Sequence, residues 1–328
     1  MSRSNLTKSP VEKEAHNASQ YKIACVVVTY NRKELLIRCL NAITRQTFKP
    51  FAVYITDNAS TDGTMNQVKQ AGYYECERNG IAFRYILNSK NEGGAGGFYL
   101  GMKTAHEEGG YDGLWVMDDD GEPESRCLEY LTQHLSHLDY LSPAVLSDED
   151  HRTMSFTKAH ESYEEFCKQA NKEGLVYDWA NPFNGILFSS RLINKIGFPK
   201  KEMFIWGDEL NYHLRAKHAG MEPNTVVKAI HYHPIDRQTH KQLGKFKSVV
   251  IGVPDWKLYC YLRNTTYNLR YTKIPLLRAP KRALCTMKTY LVYYNKVEED
   301  HSKNFLIVDA IFSGLIGRFS GMKKYMKR

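Results

Sequence analysis

The segment Gly113-Leu-Trp-Val-Met-Asp-Asp-Asp120 joins a short apolar run to three consecutive carboxylates. The apolar run is typical of a buried strand. Side chains alternate along an extended chain, so Asp118 and Asp120 are predicted to share a face while Asp119 points the other way. Neighbouring carboxylates raise one another's pKa unless a cation neutralises them, so this triplet favours a hard divalent metal held by oxygen ligands. A solvated acidic turn is the alternative interpretation.

Strand-like and helix-like stretches alternate around this segment. β-rich runs occur at residues 23–28, 51–56, 83–87 and 114–117, and helical apolar spacing occurs at residues 33–44, 64–71 and 98–107. Repeated strand, loop and helix units are typical of an α/β sheet wound as in nucleotide-binding proteins, which bind ligands at the carboxyl ends of the strands. The sequence therefore predicts an α/β fold with its ligand groups at strand ends.

Three of the loops that follow these strands are polar or rich in glycine. They are Thr29-Tyr-Asn31, Asp57-Asn-Ala-Ser-Thr-Asp-Gly63 and Asn91-Glu-Gly-Gly-Ala-Gly-Gly97. The second is a cluster of turn and cap formers. Glycines in the third loop would let a ligand approach the backbone closely, and a flexible strand-to-helix turn is the alternative interpretation.

The second half of the chain contributes further polar candidates. Trp179-Ala-Asn-Pro-Phe-Asn-Gly185 precedes an apolar run, and Met203-Phe-Ile-Trp-Gly-Asp-Glu209 precedes a predicted helix over residues 210–219. Asp208 and Glu209 thus stand at a helix N-terminus, where a carboxylate acts either as a cap or as a general base.

Two histidines follow a predicted strand over residues 224–230. His231 and His233 are two residues apart, so they are predicted to share a face. One of them could bind a metal through a neutral imidazole, and a structural or solvated histidine is the alternative.

The basic character of the chain belongs to its C-terminal part. The total charge is +9, and residues 257–328 hold 15 Lys and Arg against 4 Asp and Glu, a local +11 that leaves −2 for the rest. A helical segment with a basic edge suits an anionic membrane surface, whereas a helical cap with solvated lysines is the alternative. Nucleic-acid binding is not expected, because no such motif accompanies the basic tail.

Composition also bears on location. Residues 1–21 are polar and contain no apolar signal segment, and no stretch reaches 18 uninterrupted apolar residues. The 7 cysteines are scattered without C-x-x-C spacing, which is typical of reduced thiols. A cytoplasmic protein that reaches the inner face of the plasma membrane through its tail is expected.

Six motifs together resemble the family-2 inverting glycosyltransferases over roughly residues 22–240. They occur in the family's order: Val26-Val-Val-Thr-Tyr-Asn-Arg32, Asp57 to Thr64, Asn91 to Gly97, Asp118 to Asp120, Trp206-Gly-Asp-Glu209 and His233. The triple Asp and Trp-Gly-Asp-Glu look most like the bacterial galactofuranosyltransferase branch. Tyr261-Leu-Arg-Asn264 and the basic tail resemble that branch and related rhamnosyltransferases.

The resemblance implies a GT-A-type, Rossmann-like mixed sheet flanked by helices, with a C-terminal helical basic extension. Residues 1–21 would be a polar extension and residues 22–240 the catalytic domain, divided into a nucleotide-binding half (22–120) and an acceptor half (121–240). Residues 241–328 would form the helical region that meets a membrane.

The resemblance also implies a donor site. Its members would bind a nucleotide sugar, with a UDP-sugar expected: Thr29, Asn31 and Asp57 at the uridine, and Asn91, Gly93 and Gly94 along the donor. Asp118, Asp120 and His233 would hold Mn²⁺ or Mg²⁺, and Asp119 would contact the donor sugar or a basic neighbour. His233 is preferred to His231 because its spacing from Ala219-Gly220 fits the family better, although a loop difference could exchange them.

On the acceptor side, Asp208 matches the family's general base, and the expected acceptor contacts are Glu209, Trp206, Trp179 and Asn184. Core packing is the alternative for both tryptophans. The implied reaction moves galactofuranose from UDP-galactofuranose to a glycan or a polyprenyl-diphosphate-linked oligosaccharide, and a dTDP-rhamnose donor is the alternative. A sugar-nucleotide nucleotidyltransferase is more distant, because Thr29-Tyr-Asn-Arg32 is not a glycine-rich phosphate loop. The sequence does not indicate an oligomeric state.

Overall fold

The computed structural model describes residues 21–156, 161–181, 183–235, 240–243, 248–272 and 278–326, which form two compact units. Unit 1 contains the described residues within Met1–Asn91, Leu100–Phe198 and Ala219–Ile235. Unit 2 contains those within Glu92–Tyr99, Pro199–His218 and Asp236–Arg328. Of the polar extension predicted over residues 1–21, only Tyr21 is among the described residues.

Unit 1 is built on one β-sheet. Its strands are β1 Ile23–Thr29, β2 Ala52–Asp57, β3 Glu77–Arg78, β4 Ile81–Leu87, β5 Gly113–Asp118, β6 Glu122–Pro123, β7 Tyr140–Ser147, β8 Leu175–Tyr177, β9 Asn184–Ser189 and β10 Asn224–His233. They lie in the order β3-β4-β2-β1-β5-β9-β7-β10-β6, with β8 paired to β10. β4, β2, β1 and β5 are parallel, whereas β9 runs antiparallel to both β5 and β7. The predicted mixed sheet of an α/β fold is therefore confirmed.

Helices cover the sheet and make up most of unit 2. In the described residues they are α1 Lys33–Thr44, α2 Thr64–Gln70, α3 Gly93–Glu108, α4 Cys127–Thr132, α5 Tyr163–Cys167, α6 Ser190–Ile196, α7 Asp208–His218, α8 Asp255–Asn268, α9 Ala279–Lys296 and α10 Lys303–Ile316. Short 3-10 turns occur at Lys201–Met203, Leu269–Tyr271 and Ser320–Tyr325. A two-stranded ribbon joins β11 His240–Gln242 to β12 Ser248–Val250.

The core of unit 1 follows from the burial pattern of its strands and helices. Every residue of β1 and of β2 is buried, as expected for parallel strands covered on both faces. Leu36, Leu40 and Ile43 recur at helical spacing on α1 and pack into the same cluster as Trp115. The indole nitrogen of Trp115 donates a 2.9 Å hydrogen bond to the Gly185 carbonyl, so this large buried ring leaves no polar atom unsatisfied.

The glycine-rich segment differs from its prediction. The sequence predicted a loop through Gly97 and a helix from Phe98, but α3 begins at Gly93. The reason lies in close backbone packing: a Cβ built on Gly93 would lie 2.0 Å from the Phe204 carbonyl oxygen, and the Ala95 amide donates to that same oxygen at 3.1 Å. These glycines therefore form the first turn of a helix that approaches the segment around Phe204.

Unit 2 has a separate core among its helices. Tyr259 and Leu262 of α8, Tyr293 of α9, and Ile307 and Ile311 of α10 belong to one buried cluster. Residues 199–218 belong to this unit together with the C-terminal helices. Among the helices of the described residues, none combines the length and the apolar character needed to cross a bilayer.

Candidate active site

The carboxyl ends of neighbouring strands meet at one edge of the unit 1 sheet. β1 lies between β2 and β5 in parallel pairing, with Thr29 opposite Asp57 and with Asp118 at the matching end of β5. Asn184 begins β9 and pairs with Met117. The fold thus brings four of the predicted site residues to the edge where α/β sheets bind ligands.

Asp57 is held as a fixed acceptor at this edge. One of its carboxylate oxygens accepts the Ser60 amide at 2.8 Å, and the other accepts the Tyr85 hydroxyl. Burial, followed by this hydrogen bond, raises the pKa of Tyr85, so its hydroxyl stays the donor. Because a carboxylate offers about four lone-pair sites, Asp57 can still accept a hydrogen bond from a ligand.

Asn31 connects the loop after β1 to the loop after β2. Its side-chain oxygen accepts the Thr61 amide at 2.7 Å, and its own amide donates to the Ser60 hydroxyl at 2.9 Å. Its φ of +53° is left-handed, a conformation that asparagine tolerates better than most residues. Asn31 therefore shapes the loops that surround Asp57.

The middle carboxylate of the triplet is buried. Asp119 accepts the Thr29 hydroxyl at 2.6 Å, and Arg32 lies 3.3 Å from its other oxygen. Burial raises the pKa of Asp119 to about 6, although the contacts with Thr29 and Arg32 act in the opposite direction. The Thr29 side chain is thus directed at Asp119.

Arg32 is a site residue that sequence reasoning did not single out. Its guanidinium lies 2.6 Å from Asp120 and 3.3 Å from Asp119, so one cation serves two carboxylates. A signal was available: three adjacent carboxylates need positive charge nearby, and Arg32 directly follows the loop of the first strand.

Asp120 and His233 bring together two atoms that can each ligate a metal once His233 is neutral. His233 Nε2 lies 3.1 Å from Asp120 Oδ1, and His233 Nδ1 lies 2.6 Å from the Pro234 carbonyl oxygen. Because a carbonyl can only accept, Nδ1 carries a proton and Nε2 is left facing the carboxylate. Asp120 Oδ1 is buried and makes no hydrogen bond of normal geometry within the described residues.

This arrangement fits a divalent cation. Ligand atoms bound at about 2.1 Å and at right angles lie about 3 Å apart, which matches the observed separation. Burial acts to raise the pKa of Asp120, but the hydrogen bond and charge of a protonated His233, followed by Arg32, outweigh it and lower the pKa to about 2, so the carboxylate stays charged. Nδ1 donation to a backbone carbonyl is the usual support of a histidine metal ligand.

The protein alone does not complete a metal site. No group of three or more His, Cys, Asp or Glu side chains surrounds one point in the part of the chain that the structure describes. Asp120 and His233 supply two ligand positions, and Asp118 lies half-buried at the same strand end. Such open sites are typical of cations that share substrate phosphates.

His231 has a different environment. Its ring is fully buried and fills a slot between two glycines: a Cβ on Gly121 would lie 2.1 Å from Nε2, and one on Gly185 would lie 2.8 Å from Nδ1. Burial lowers its pKa to about 3, so the ring is neutral. Both histidines lie within β10, and it is His233 that contacts Asp120.

In unit 2, Asp208 follows a loop of unusual backbone conformation. Phe204, Trp206 and Gly207 have φ values of +68°, +60° and +95°. Asp208 is buried as the first residue of α7, and Glu209 accepts the Gly207 amide at 3.2 Å. Glu209 therefore caps the turn, while the macrodipole of α7 favours a negative charge on Asp208.

Buried polar side chains of helix α8 donate hydrogen bonds to the carbonyl groups of the loop Met203–Gly207. Asn264 Nδ2 lies 2.8–3.0 Å from three carbonyl oxygens, Arg263 donates to one at 2.7 Å, and Asn268 donates to one at 2.8 Å. The accepting carbonyls are those of Met203, Ile205, Trp206 and Gly207. Residues in positive φ cost about 1–3 kcal/mol each, so such a loop persists only where its surroundings fix it.

The two tryptophans that were predicted to contact the acceptor lie in different units, Trp206 in unit 2 and Trp179 in unit 1. Trp206 is half-buried in unit 2, with Lys257 Nζ 5.3 Å above its ring. Trp179 packs against Phe166 in a core cluster, and its carbonyl accepts the Thr225 hydroxyl near the start of β10.

Two glycines were predicted to lie along the nucleotide-sugar donor, and only Gly94 of the two has free space beside its backbone. No atom lies within 4 Å of a Cβ built on Gly94, whereas Gly93 is packed on the Phe204 carbonyl. Asn91 lies two residues before α3 and is half-buried. Only Gly94 therefore leaves room beside its backbone for a ligand.

Comparisons with known proteins identify the family of the chain. The family model "Glycosyl transferase family 2" matches residues 24–184. Galactofuranosyltransferase GlfT1 of Mycobacterium tuberculosis is 30% identical over 257 residues, which cover 75% of this chain and 82% of that relative. Among solved structures, S. aureus TarS aligns with a TM-score of 0.55 and 14% identity over 92% of this chain, which spans 50% of that chain.

A second solved structure is also similar in fold. The mannosyltransferase PcManGT from Pyrobaculum calidifontis, in complex with GDP-Man and Mn²⁺, aligns with a TM-score of 0.53 and 16% identity over 92% of this chain and 89% of that chain. At identities of 14% and 16%, these two solved structures show only that the fold is similar.

The two histidines make separable predictions. His233→Ala should lower Mn²⁺ affinity about tenfold or more, because it removes one of the two facing ligand atoms. His231→Ala should leave Mn²⁺ affinity unchanged within about twofold and lower the melting temperature, because it opens a cavity between two glycines. Isothermal titration calorimetry with Mn²⁺ in the presence of UDP measures the first effect and thermal unfolding the second. Equal losses of Mn²⁺ affinity in both variants would contradict the assignment.

Proposed function

The chain belongs to the family-2 glycosyltransferases, near the galactofuranosyltransferase branch, and from this premise we propose that it transfers galactofuranose from UDP-galactofuranose. The observation that carries the proposal is the 3.1 Å approach of His233 Nε2 to the buried Asp120 Oδ1 at the edge that also holds Asp57. A cation position next to a fixed nucleotide acceptor suits a diphosphate-linked sugar. dTDP-rhamnose is the alternative donor.

The nucleotide end of the donor is assigned to the loops after β1 and β2. Asp57, fixed by Ser60 and Tyr85, accepts the imide N–H of the base. Asn31 positions the loop around it, and Gly94 offers its exposed backbone to the donor. Both uracil and thymine present this imide, so the base does not distinguish the two candidate donors.

The diphosphate end is assigned to the acidic triplet. Asp118, Asp120 and His233 would hold Mn²⁺ or Mg²⁺, which when bound supplies Lewis-acid stabilisation of the leaving diphosphate. Thr29 orients Asp119, and Arg32 balances the charge of Asp119 and Asp120. Asp119 then contacts the donor sugar, and the Arg32 guanidinium, half exposed, stands at the edge of the site.

The transfer step itself is a single displacement. Asp208 takes the proton of an acceptor hydroxyl, whose oxygen attacks the anomeric carbon as the bond to the diphosphate breaks, so the anomeric configuration inverts. Glu209 fixes the turn that carries Asp208, and Trp206 and Asn184 are assigned to acceptor or sugar contacts. For Trp179, which is partly buried against the cluster that contains Phe166, core packing and an acceptor contact are the two alternatives.

The acceptor is proposed to be a glycan or a polyprenyl-diphosphate-linked oligosaccharide. Such acceptors present their sugars at the cytoplasmic surface of the membrane, so we place the enzyme there as a peripheral protein. The basic excess of residues 257–328 supports this assignment.

A panel of donors tests the proposed function. UDP-galactofuranose, UDP-galactopyranose and dTDP-rhamnose are incubated separately with the protein and Mn²⁺, and slow donor hydrolysis is followed as nucleoside diphosphate release. We expect hydrolysis of UDP-galactofuranose to be at least about tenfold faster than that of the others. Faster release from dTDP-rhamnose would favour the alternative donor. Formation of UTP and sugar 1-phosphate from UDP-galactofuranose and added pyrophosphate, in place of UDP release, would contradict sugar transfer altogether.

Asp208→Asn tests the general base. Transfer should fall about 10²–10⁴-fold, because the amide cannot take the acceptor proton. UDP affinity should stay within about twofold, because Asp208 has no role in nucleotide binding. Glu202→Gln, in the exposed turn Lys201–Met203, is the matched control and should retain activity. Normal turnover in Asp208→Asn would remove this residue from the mechanism.

The variant Asn264→Ala tests whether Asn264 holds the loop Met203–Gly207, which precedes the proposed base Asp208. Because Asn264 holds three loop carbonyls, kcat should fall about tenfold to a hundredfold while the KM for the donor stays unchanged. Asn295→Ala is the control, since Asn295 pairs with Asn304 elsewhere in unit 2. A lowered melting temperature with an unchanged kcat would show that Asn264 is only structural.

A further inference from the structure

Helix α10 exposes apolar side chains where a surface helix normally carries polar ones. Its exposed residues are Phe305, Val308, Phe312 and Ile316, with exposed fractions of 68%, 45%, 55% and 57%. Their spacing of three or four residues places them on one side of the helix, here called the α10 apolar face. The other side of α10 is buried in the unit 2 core. A helix that is apolar all round is expected in a protein core or in contact with lipid.

Helix α9, which packs against α10, carries positive charge. It contains no acidic residue, and its exposed side chains include Lys281, Arg282, Lys288 and Lys296. The exposed Leu284 lies between these cations along the helix. α9 and α10 bury their opposite sides in one core cluster, so their exposed sides both turn away from that cluster.

The charges are unequal at the two ends of the helix pair. α9 and α10 are in contact and are joined by a short turn, so they run antiparallel. The acidic residues 298–300 lie in that turn, whereas Lys281 and Arg282 stand at the other end, as does Lys323 just beyond α10. Attraction to an anionic surface is therefore concentrated away from the turn.

We propose that α9 and α10 form a membrane-docking surface, in which the α10 apolar face enters the boundary between headgroups and acyl chains of an anionic bilayer. The α9 cations then lie at the lipid phosphates. α10 has 14 residues and is about 21 Å long, which is less than the roughly 30 Å of a hydrocarbon core, so it lies in the surface. A second copy of the chain fits this surface less well, because it would bring the α9 cations of two chains together.

A groove borders the exposed cations of α9. The groove has a volume of about 450 Å³ and is lined by residues of α7, α8 and α9, including Leu210, Leu214, Leu269 and Arg282. Arg282 belongs both to the groove and to the exposed cations of α9, and Leu210 follows Asp208 by two residues. The docking surface does not rest on the proposed function.

Flotation of the full chain with lipid vesicles tests the surface. The vesicles contain phosphatidylcholine either alone or mixed with phosphatidylglycerol. The double variant Phe305→Ser/Phe312→Ser should bind the mixed vesicles about tenfold or more weakly than the wild type, a loss of about 1.4 kcal/mol. Phe51→Ser is the matched control, because Phe51 is a half-exposed aromatic of unit 1, and its binding should be unchanged. Lys281→Glu/Arg282→Glu should remove the preference for phosphatidylglycerol.

A second variant guards against misfolding, and two further measurements separate the outcomes. Val308→Ser/Ile316→Ser alters the same face and should show the same loss at an unchanged melting temperature. Equal binding of the wild type and both face variants would overturn the proposal. The proposal would also be overturned if light scattering showed that the wild type is a dimer and the face variants are monomers, and if the wild type did not bind vesicles. Hydrolysis of UDP-galactofuranose without vesicles should be the same in every face variant as in the wild type. If the wild type itself does not hydrolyse UDP-galactofuranose, the proposed function fails but the docking surface does not.

Discussion

Burial of adjacent carboxylates is the constraint on which the rest of the unit 1 site depends. Asp119 and Asp120 can share a pocket because Arg32 contacts both, while Thr29 and His233 each add one further partner. These partners come from the ends of β1 and β10, so the site exists only if those strands end level with β5. The register of the strands therefore keeps these charges paired, because a shift in register would leave a buried carboxylate without its partner.

The sequence predicted this edge well because strand ends carry local signals. An apolar run followed by Asp118 to Asp120 identifies a buried strand and its polar end, and parallel pairing then collects such ends at one place. Contacts between distant segments were harder. Period-two alternation puts His231 and His233 on the same face and cannot tell which one meets Asp120, because the slot that encloses His231 is formed by Gly121 and Gly185. Arg32 was missed for a similar reason, since its partners lie about 90 residues away.

Unit 2 shows the same limit of local signals. The glycine-rich segment from Gly93 to Gly97 was predicted as a loop because the close packing of Gly93 on the Phe204 carbonyl cannot be read from the local sequence. Asp208 could be placed at a helix start from its neighbours, but the polar residues of α8 that hold the preceding loop lie some 60 residues further on. The apolar stretch in the tail was visible in the sequence, whereas only the fold reveals which of its side chains remain on the outside.

The support of the Met203–Gly207 loop by Arg263, Asn264 and Asn268 also governs how this chain can be recombined with its relatives. A chimaera cut near residue 240 would pair one protein's loop with another protein's α8. The carbonyls of the loop would then depend on the donors of the other protein's α8, and the segment before Asp208 would keep its shape only where those donors match. Junctions that keep residues 199–218 with the C-terminal helices preserve this match, so the inherited module is discontinuous in sequence.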